Sequence, residues 1–176
     1  MQFKLEIKKL EEEKKMAEEK KLETTLIVFS GDMDKIMTSF LIATGAAASN
    51  MEVTMFFTFW GLRALKKKNV RTGKSFMGKM MGIMEGGDIS KASPSKYSMG
   101  GLGRWMFKKM MSAKGVPSLE ELRKLAIELG VNFYACQMSM DVLEIPRESM
   151  IDEVKDVVGV AFMLEHSKNS FSTLYI

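Results

Sequence analysis

The chain has 176 residues, 46% hydrophobic and 27% charged, enough to build the core of one soluble domain with an appendage. A single cysteine excludes an internal disulfide framework and a zinc site built on cysteine pairs, and one histidine leaves too few ligands for a His/Cys metal site, so no metal or other cofactor is expected. The net charge is +4, yet between Lys66 and Lys114 twelve Lys/Arg stand against two acids, Glu85 and Asp88, a local balance of +10 that leaves the rest of the chain net acidic.

The first stretch, residues 1–23, alternates Lys and Glu around Phe3, Leu5, Ile7 and Leu10, which predicts a charged helix with a thin apolar stripe. Two readings stay open for it: a solvated helix packed lightly on its own domain, or an oligomerisation arm. The charged start carries no apolar h-region of a signal peptide, and a lone free thiol suits a reducing cytoplasm.

Thr24 to Phe29 is a continuous apolar run rich in β-branched residues, as in a strand covered on both faces. Ser30-Gly31-Asp32 reads as a turn, with Asp32 an N-cap for a helix from Met33 to about Asn50. Glu52 to Phe59 reads as the second strand, Trp60-Gly61 as its end, and Leu62 to Lys67 as a short helix. Strand, helix, strand, helix at this spacing implies a parallel sheet with right-handed crossovers. From Ile36 to Leu62 only Glu52 is charged, but scattered Ser, Thr and Asn and a change of period midway favour a buried helix followed by a buried strand over a transmembrane span.

Residues 68–115 break this rhythm. They are rich in Gly, Met, Lys and Ser, with helical patterns at Phe76 to Met84 and Arg104 to Met111. An insertion of this length is expected to be either functional or disordered. The residues allow a mobile flap over the site, an interface with a partner or a membrane surface, or a Cu(I) site at Met77, Met80, Met81 and Met84, of which the copper reading is the weakest. No interleaved base-stacking pattern accompanies the charge, so nucleic acid is not expected as a partner.

Ser118-Leu119-Glu120-Glu121 matches a capping box, opening a helix that stops at Gly130. Val131 to Cys136 reads as a buried strand with a helix following at once. Ile151 to Val158 carries apolar residues among acids, Gly159 to Ser167 a helix bearing His166, and Phe171 to Ile176 a closing strand. His166 could act as a base, but its place along the helix favours a structural role.

Cys136 therefore stands where a strand ends and a helix begins, the edge of a parallel sheet where ligands bind and where helix N–H groups favour a thiolate. The alternative is a buried, inert thiol. Spacing separates the possible chemistries. A dithiol needs a second cysteine three residues away, where Phe133 and Ser139 stand; a phosphatase loop needs an Arg six residues on, where Val142 stands; the single His is distant; and a one-cysteine peroxidase lacks a supporting Arg/Thr motif. A thiolate that accepts and hands on a group, such as sulfur held as a persulfide, remains. Gly31, Asp32, Phe59 and Trp60 end the neighbouring strands and are expected to line its pocket.

The stretches Ser30-Gly31-Asp32-Met33-Asp34-Lys35, Gly45-Ala46-Ala47-Ala48, Glu52 to Leu62 with its Phe-Thr-Phe-Trp-Gly-Leu ending, Cys136-Gln137-Met138-Ser139-Met140-Asp141 and Ser172 to Ile176 resemble the DsrE/DsrF-like family, in its longer subgroup. The resemblance covers most of 24–176. It implies a three-layer α/β/α fold with a mainly parallel, doubly wound sheet of about five strands, a homo-oligomer, and a sulfur-carrier or sulfurtransferase cysteine at Cys136. It also adds Gly61, Met138, Ser139 and Asp141 to the candidate site. The implied partners are sulfur donor and acceptor proteins. A non-catalytic binding or scaffold protein, acting through the basic Met-rich insertion on a partner or a membrane surface, stands as the other reading.

Overall fold

The structure is a computed structural model and describes residues 22–70, 72–84 and 87–176. The charged helix expected at 1–23 falls almost wholly outside the described residues. Among these, five strands form one sheet: β1 (Glu23–Val28), β2 (Glu52–Phe57), β3 (Asn132–Cys136), β4 (Val154–Val158) and β5 (Ser172–Tyr175). The order is β4-β3-β2-β1-β5 and every pairing is parallel. The chain steps from β1 to β4 in one direction, then returns to the other side of β1. Right-handed crossovers then place the last helix on the opposite face from the first, which makes the fold doubly wound.

Side chains alternate across this sheet. Leu26, Val28, Val53, Met55, Phe57, Phe133 and Ala135 face the main core. There they meet α1 (Met33–Ala48), through Met33, Ile36, Phe40 and Ala43, and α4 (Leu119–Glu128), through Leu119, Leu122 and Ala126. Phe40, Phe57 and Phe133 form a ring triad with centroids 5.7 to 6.2 Å apart, tilted or edge-on. Such geometry adds roughly 0.5–1.5 kcal/mol per pair beyond area burial. On the other face, Phe56 and Cys136 pack with Met163 of α6 (Val160–Asn169), flanked by Ile27, Tyr134 and Val158. The apolar run from Ile36 to Leu62 divides into α1 and β2, and among the described residues no helix is long and apolar enough to cross a membrane.

The expected elements shift by a few residues at their ends. The second strand stops at Phe57, and Phe59–Leu65 forms a tight 3-10 stretch in place of the short helix expected from Leu62. The Ser118–Glu121 capping box forms on both sides, with the Ser118 hydroxyl accepting from the Glu121 N–H and the Glu121 carboxylate accepting from the Ser118 N–H at 2.7 Å. Asp32 occupies the N-cap position of α1, but its carboxylate does not cap the helix. It accepts instead from Ser30 Oγ at 3.1 Å and Lys35 Nζ at 3.0 Å.

The insertion holds α2 (Phe76–Met84) and α3 (Leu102–Ala113), as the two helical patterns indicated. Part of it also builds the core. Ile89 and Ala92 are fully buried in the main core. The Met33 N–H donates to Ser93 O, and Asp34 accepts from the N–H and hydroxyl of Ser95 at 2.8 and 2.7 Å. The stretch between the two helices is thus part of the folded domain, because it seals the side of the core at the start of α1. Met81 packs against the core, while Met77 and Met80 are exposed.

Candidate functional site

Cys136 is the last residue of β3 and the N-cap of α5 (Gln137–Val142). Its side chain points to the sheet face that carries Phe56 and Met163, and the residue is 5% exposed. Burial pushes its thiol pKa up, but the Ser139 hydroxyl and N–H, the Thr58 hydroxyl and the Met138 N–H all favour the thiolate, and the net direction is down. The two hydroxyls also meet each other, with Thr58 Oγ1 and Ser139 Oγ 2.8 Å apart. Each has one proton, so one of them donates to the other and the second donates to sulfur. N–H groups at the start of α5 and the Thr58–Ser139 hydroxyl pair therefore favour the thiolate form.

The remaining expected site residues divide into two groups. Gly31, Asp32 and Trp60 line a cleft of about 440 Å³ with Phe29, Ser30, Lys35, Arg63 and Met81. Cys136 is not among the lining residues of that cleft. Its immediate group is Thr58, Met138 and Ser139; Ser139 is fully buried and Met138 half exposed. The 3-10 stretch that starts at Phe59 joins the two groups. Phe59 sits at φ 44, in the left-handed region that strains a residue with a Cβ. Asp141 is exposed and accepts from Gln137 Nε2 at 2.8 Å.

Two glycines make this junction possible. A Cβ on Gly61 would run into the carbonyl oxygen of Val28, and one on Gly31 would lie 2.8 Å from the Trp60 oxygen. The Gly61 N–H donates to Thr58 O at 2.9 Å and Phe29 O at 3.1 Å. The loops after β1 and β2 thus interlock backbone to backbone, which fixes the Thr58 hydroxyl beside Ser139.

Thr58 is the member of the thiol's immediate group that sequence reasoning did not single out. The available signal was its place in Phe-Thr-Phe-Trp-Gly, one residue past the end of β2. His166 does not approach the thiol among the described contacts. It stacks with Phe162 and Tyr134, centroids 4.6 and 6.0 Å away, on the face of α6 that covers the sheet. Burial, with Asp156 and Glu52 nearby, raises the Tyr134 pKa, which keeps the phenol protonated in this packed cluster.

Comparison with known proteins places these features. The sequence model of the DsrE/DsrF/DrsH-like family matches residues 19–175. The uncharacterized protein YrkE of Bacillus subtilis (strain 168) is 40% identical over 154 residues, covering 87% of this chain and 96% of that protein. The sulfur carrier protein DsrE2 of Allochromatium vinosum is 38% identical over 164 residues, covering 90% and 99%. The crystal structure of the ychN protein from E. coli shares the fold with a TM-score of 0.53 at 11% identity, over 88% of this chain and all of that one. This chain belongs to the DsrE/DsrF/DrsH-like family.

Proposed function

We propose that this protein is a sulfur carrier that holds sulfane sulfur as a persulfide on Cys136 and passes it to a protein acceptor. The observation that carries the reading is the thiol itself: one cysteine, at a strand-to-helix edge, with a pKa lowered by two N–H groups and a hydroxyl pair. The DsrE2 relative is named a sulfur carrier, which supports the same role class here.

The chemistry needs only the thiolate. Cys136 Sγ attacks the outer sulfur of a donor persulfide, the donor S–S bond breaks, and the donor leaves as a thiolate. An acceptor thiolate then attacks the outer sulfur of the Cys136 persulfide and returns Cys136 as a thiolate. Neither step consumes an oxidant or a reductant, and neither requires a second cysteine in this chain. The N–H groups of Met138 and Ser139 and the hydroxyl pair stabilise the leaving Cys136 thiolate in the second step, as they do the attacking one in the first.

Assembly into a homo-oligomer belongs to the same proposal. Val160 and Leu164 of α6, with Phe171 and Tyr175 beside and in β5, are between 57% and 72% exposed. Apolar surface of this kind on one side of a sheet supports contact between copies in a cytoplasmic protein. Light scattering coupled to size exclusion tests that part.

The sulfur reading is tested by incubating the reduced protein with glutathione persulfide or thiosulfate and recording intact mass. The expected result is the mass of one added sulfur atom per chain, lost in Cys136→Ser and discharged by a small thiol. Failure to take up sulfur from either donor overturns it and leaves a packed, inert cysteine.

A further inference from the structure

α3 presents two apolar faces, and only one of them is packed. Inward, Phe107 and Met111 rest on the main core. Beside them, Arg104 Nη1 donates to Lys91 O at 2.8 Å and Lys108 Nζ donates to Ser90 O at 2.5 Å, which ties the helix to the buried Ile89 turn. Outward, Leu102, Trp105, Met106 and Met110 recur at helical spacing and are between 51% and 60% exposed. Tyr97 and Met99, exposed by 81% and 71%, extend this surface from the turn before the helix. That turn is fixed. The N–H groups of Gly101 and Gly103 donate to Ser98 O at 2.8 and 3.2 Å, and Gly103 has no Cβ to strike the Tyr97 carbonyl.

Charge identifies what this face meets. From Ile89 to Leu119 the sequence has no acid and six cations: Lys91, Lys96, Arg104, Lys108, Lys109 and Lys114. Lys109 Nζ lies 5.2 Å from the centroid of the Trp105 ring, within the outward face. Protein–protein interfaces are depleted in lysine, whereas helices that lie in a lipid headgroup region combine Lys/Arg with Trp, Phe and Leu. Trp and Tyr rings settle at headgroup depth, and lysine stems reach past apolar neighbours to the phosphates.

We propose that the outward face of α3 and its leading turn form a docking surface for an anionic lipid bilayer. Leu102, Met106 and Met110 enter the acyl boundary, Tyr97 and Trp105 sit among the headgroups, and Lys96, Lys109 and Lys114 contact lipid phosphates. The protein lies on the membrane surface and does not span it. This inference does not depend on Cys136, so sulfur loading of the protein in lipid-free solution is an independent measurement.

The test is co-flotation of the full chain with vesicles of phosphatidylglycerol and phosphatidylcholine, against vesicles of phosphatidylcholine alone, at low and raised salt. The expected result is at least tenfold preference for the anionic vesicles, weakened by salt. Trp105→Ser, Met106→Ser and Met110→Ser in one chain should lower that binding at least tenfold with an unchanged melting temperature. A second chain with Lys96→Gln, Lys109→Gln and Lys114→Gln should lose the anionic preference, and it carries the test if the first variant fails to fold. Absence of binding to anionic vesicles at low salt, or binding unchanged in the variants, overturns the proposal. Retention on immobilised polyglutamate without vesicle binding also overturns it, and assigns the face to an acidic protein.

Discussion

Thr58 Oγ1 and Ser139 Oγ stand 2.8 Å apart although 81 residues separate them in the chain. One closes β2 and the other opens the helix after β3, so the adjacency of two parallel strands is what builds a hydrogen-bonded hydroxyl pair at the Cys136 sulfur. The donors Thr58, Met138 and Ser139 all stand at the C-terminal edge of these two strands.

The first prediction concerns thiol reactivity. Because folding lowers the pKa of Cys136, alkylation by a small reagent should reach half its limiting rate at a lower pH in the folded protein than in the same chain unfolded in urea, whose free thiol is the reference. Thr58→Val and Ser139→Ala each remove a hydroxyl that favours the thiolate, and each should move that midpoint upward. Rates measured from pH 5 to 10 decide this. A midpoint at or above the reference in the unaltered protein would show an inert thiol.

The same shift has a sign in stability. An acid whose pKa is depressed by folding binds fewer protons in the native state than in the unfolded one between the two pKa values. Stability from Cys136 is therefore fully present above the unfolded thiol value and is lost as pH falls through the lowered folded value. The melting-temperature difference between the unaltered protein and Cys136→Ser should grow as pH rises through that window. A difference independent of pH would remove the linkage.

A third expectation follows from the interlocked loops. Gly61→Ala places a methyl against the Val28 carbonyl oxygen, a backbone atom that cannot swing aside. The cost should be about 1–3 kcal/mol, as for forced overpacking. Urea unfolding measures it. Since Gly61 also donates to Thr58 O, the alkylation midpoint of Cys136 should move with it. Loss of stability without any change at the thiol would separate the loop junction from the site.

Much of this arrangement was legible in the sequence, for identifiable reasons. Continuous β-branched and aromatic runs marked β1, β2 and β3 because strands buried on both faces need apolar side chains at every position. Ser118 and Glu121 marked the start of α4 because their bond is local. Cys136 was visible because the change from strand to helix period occurs there. Thr58 was not, since its role depends on a partner brought close only by strand pairing. The face to which Cys136 points also escaped, since it depends on strand alternation and on which crossover carries α6. Ile89 and Ala92 gave no signal as core residues, because each stands alone among Ser, Lys and Gly with no period around it.

The carboxylate of Glu144 gives a pH-dependent attachment. It accepts from the N–H of Ser75 at 2.7 Å and from the Ser75 hydroxyl and the Lys74 N–H, at the start of α2. The Ser75 hydroxyl lowers its pKa most, followed by the N–H groups of Ser75 and Lys74. The attachment is therefore present above the unfolded carboxylate value and is lost as pH falls through the lowered one. Amide exchange at Lys74, Ser75 and Gly78 should accelerate in Glu144→Gln at neutral pH, while amides of β2 and β3 stay protected. Equal exchange in both proteins would show that α2 is held by other contacts.

The last prediction separates the two parts of the insertion. Ile89 is fully buried and packs in the main core, whereas Phe76 at the start of α2 is 84% exposed. Deleting a buried branched side chain removes its transfer energy and leaves a cavity, so Ile89→Ala should cost about 2–5 kcal/mol. Phe76→Ser touches little and should stay within roughly 0.5 kcal/mol of zero. Deletion of Ser75 to Met111 should consequently fail to give a cooperative unfolding transition, since it removes Ile89 and Ala92 from the core and the Ser95 partner from Asp34. Removal of α2 alone, with a short Gly-Ser bridge from Gly73 to Gly87, should leave the sheet and the Cys136 thiol intact. Chemical denaturation of the four variants measures the contrast. A cooperative, near-native transition in the long deletion would show that the core closes without the Ile89 turn.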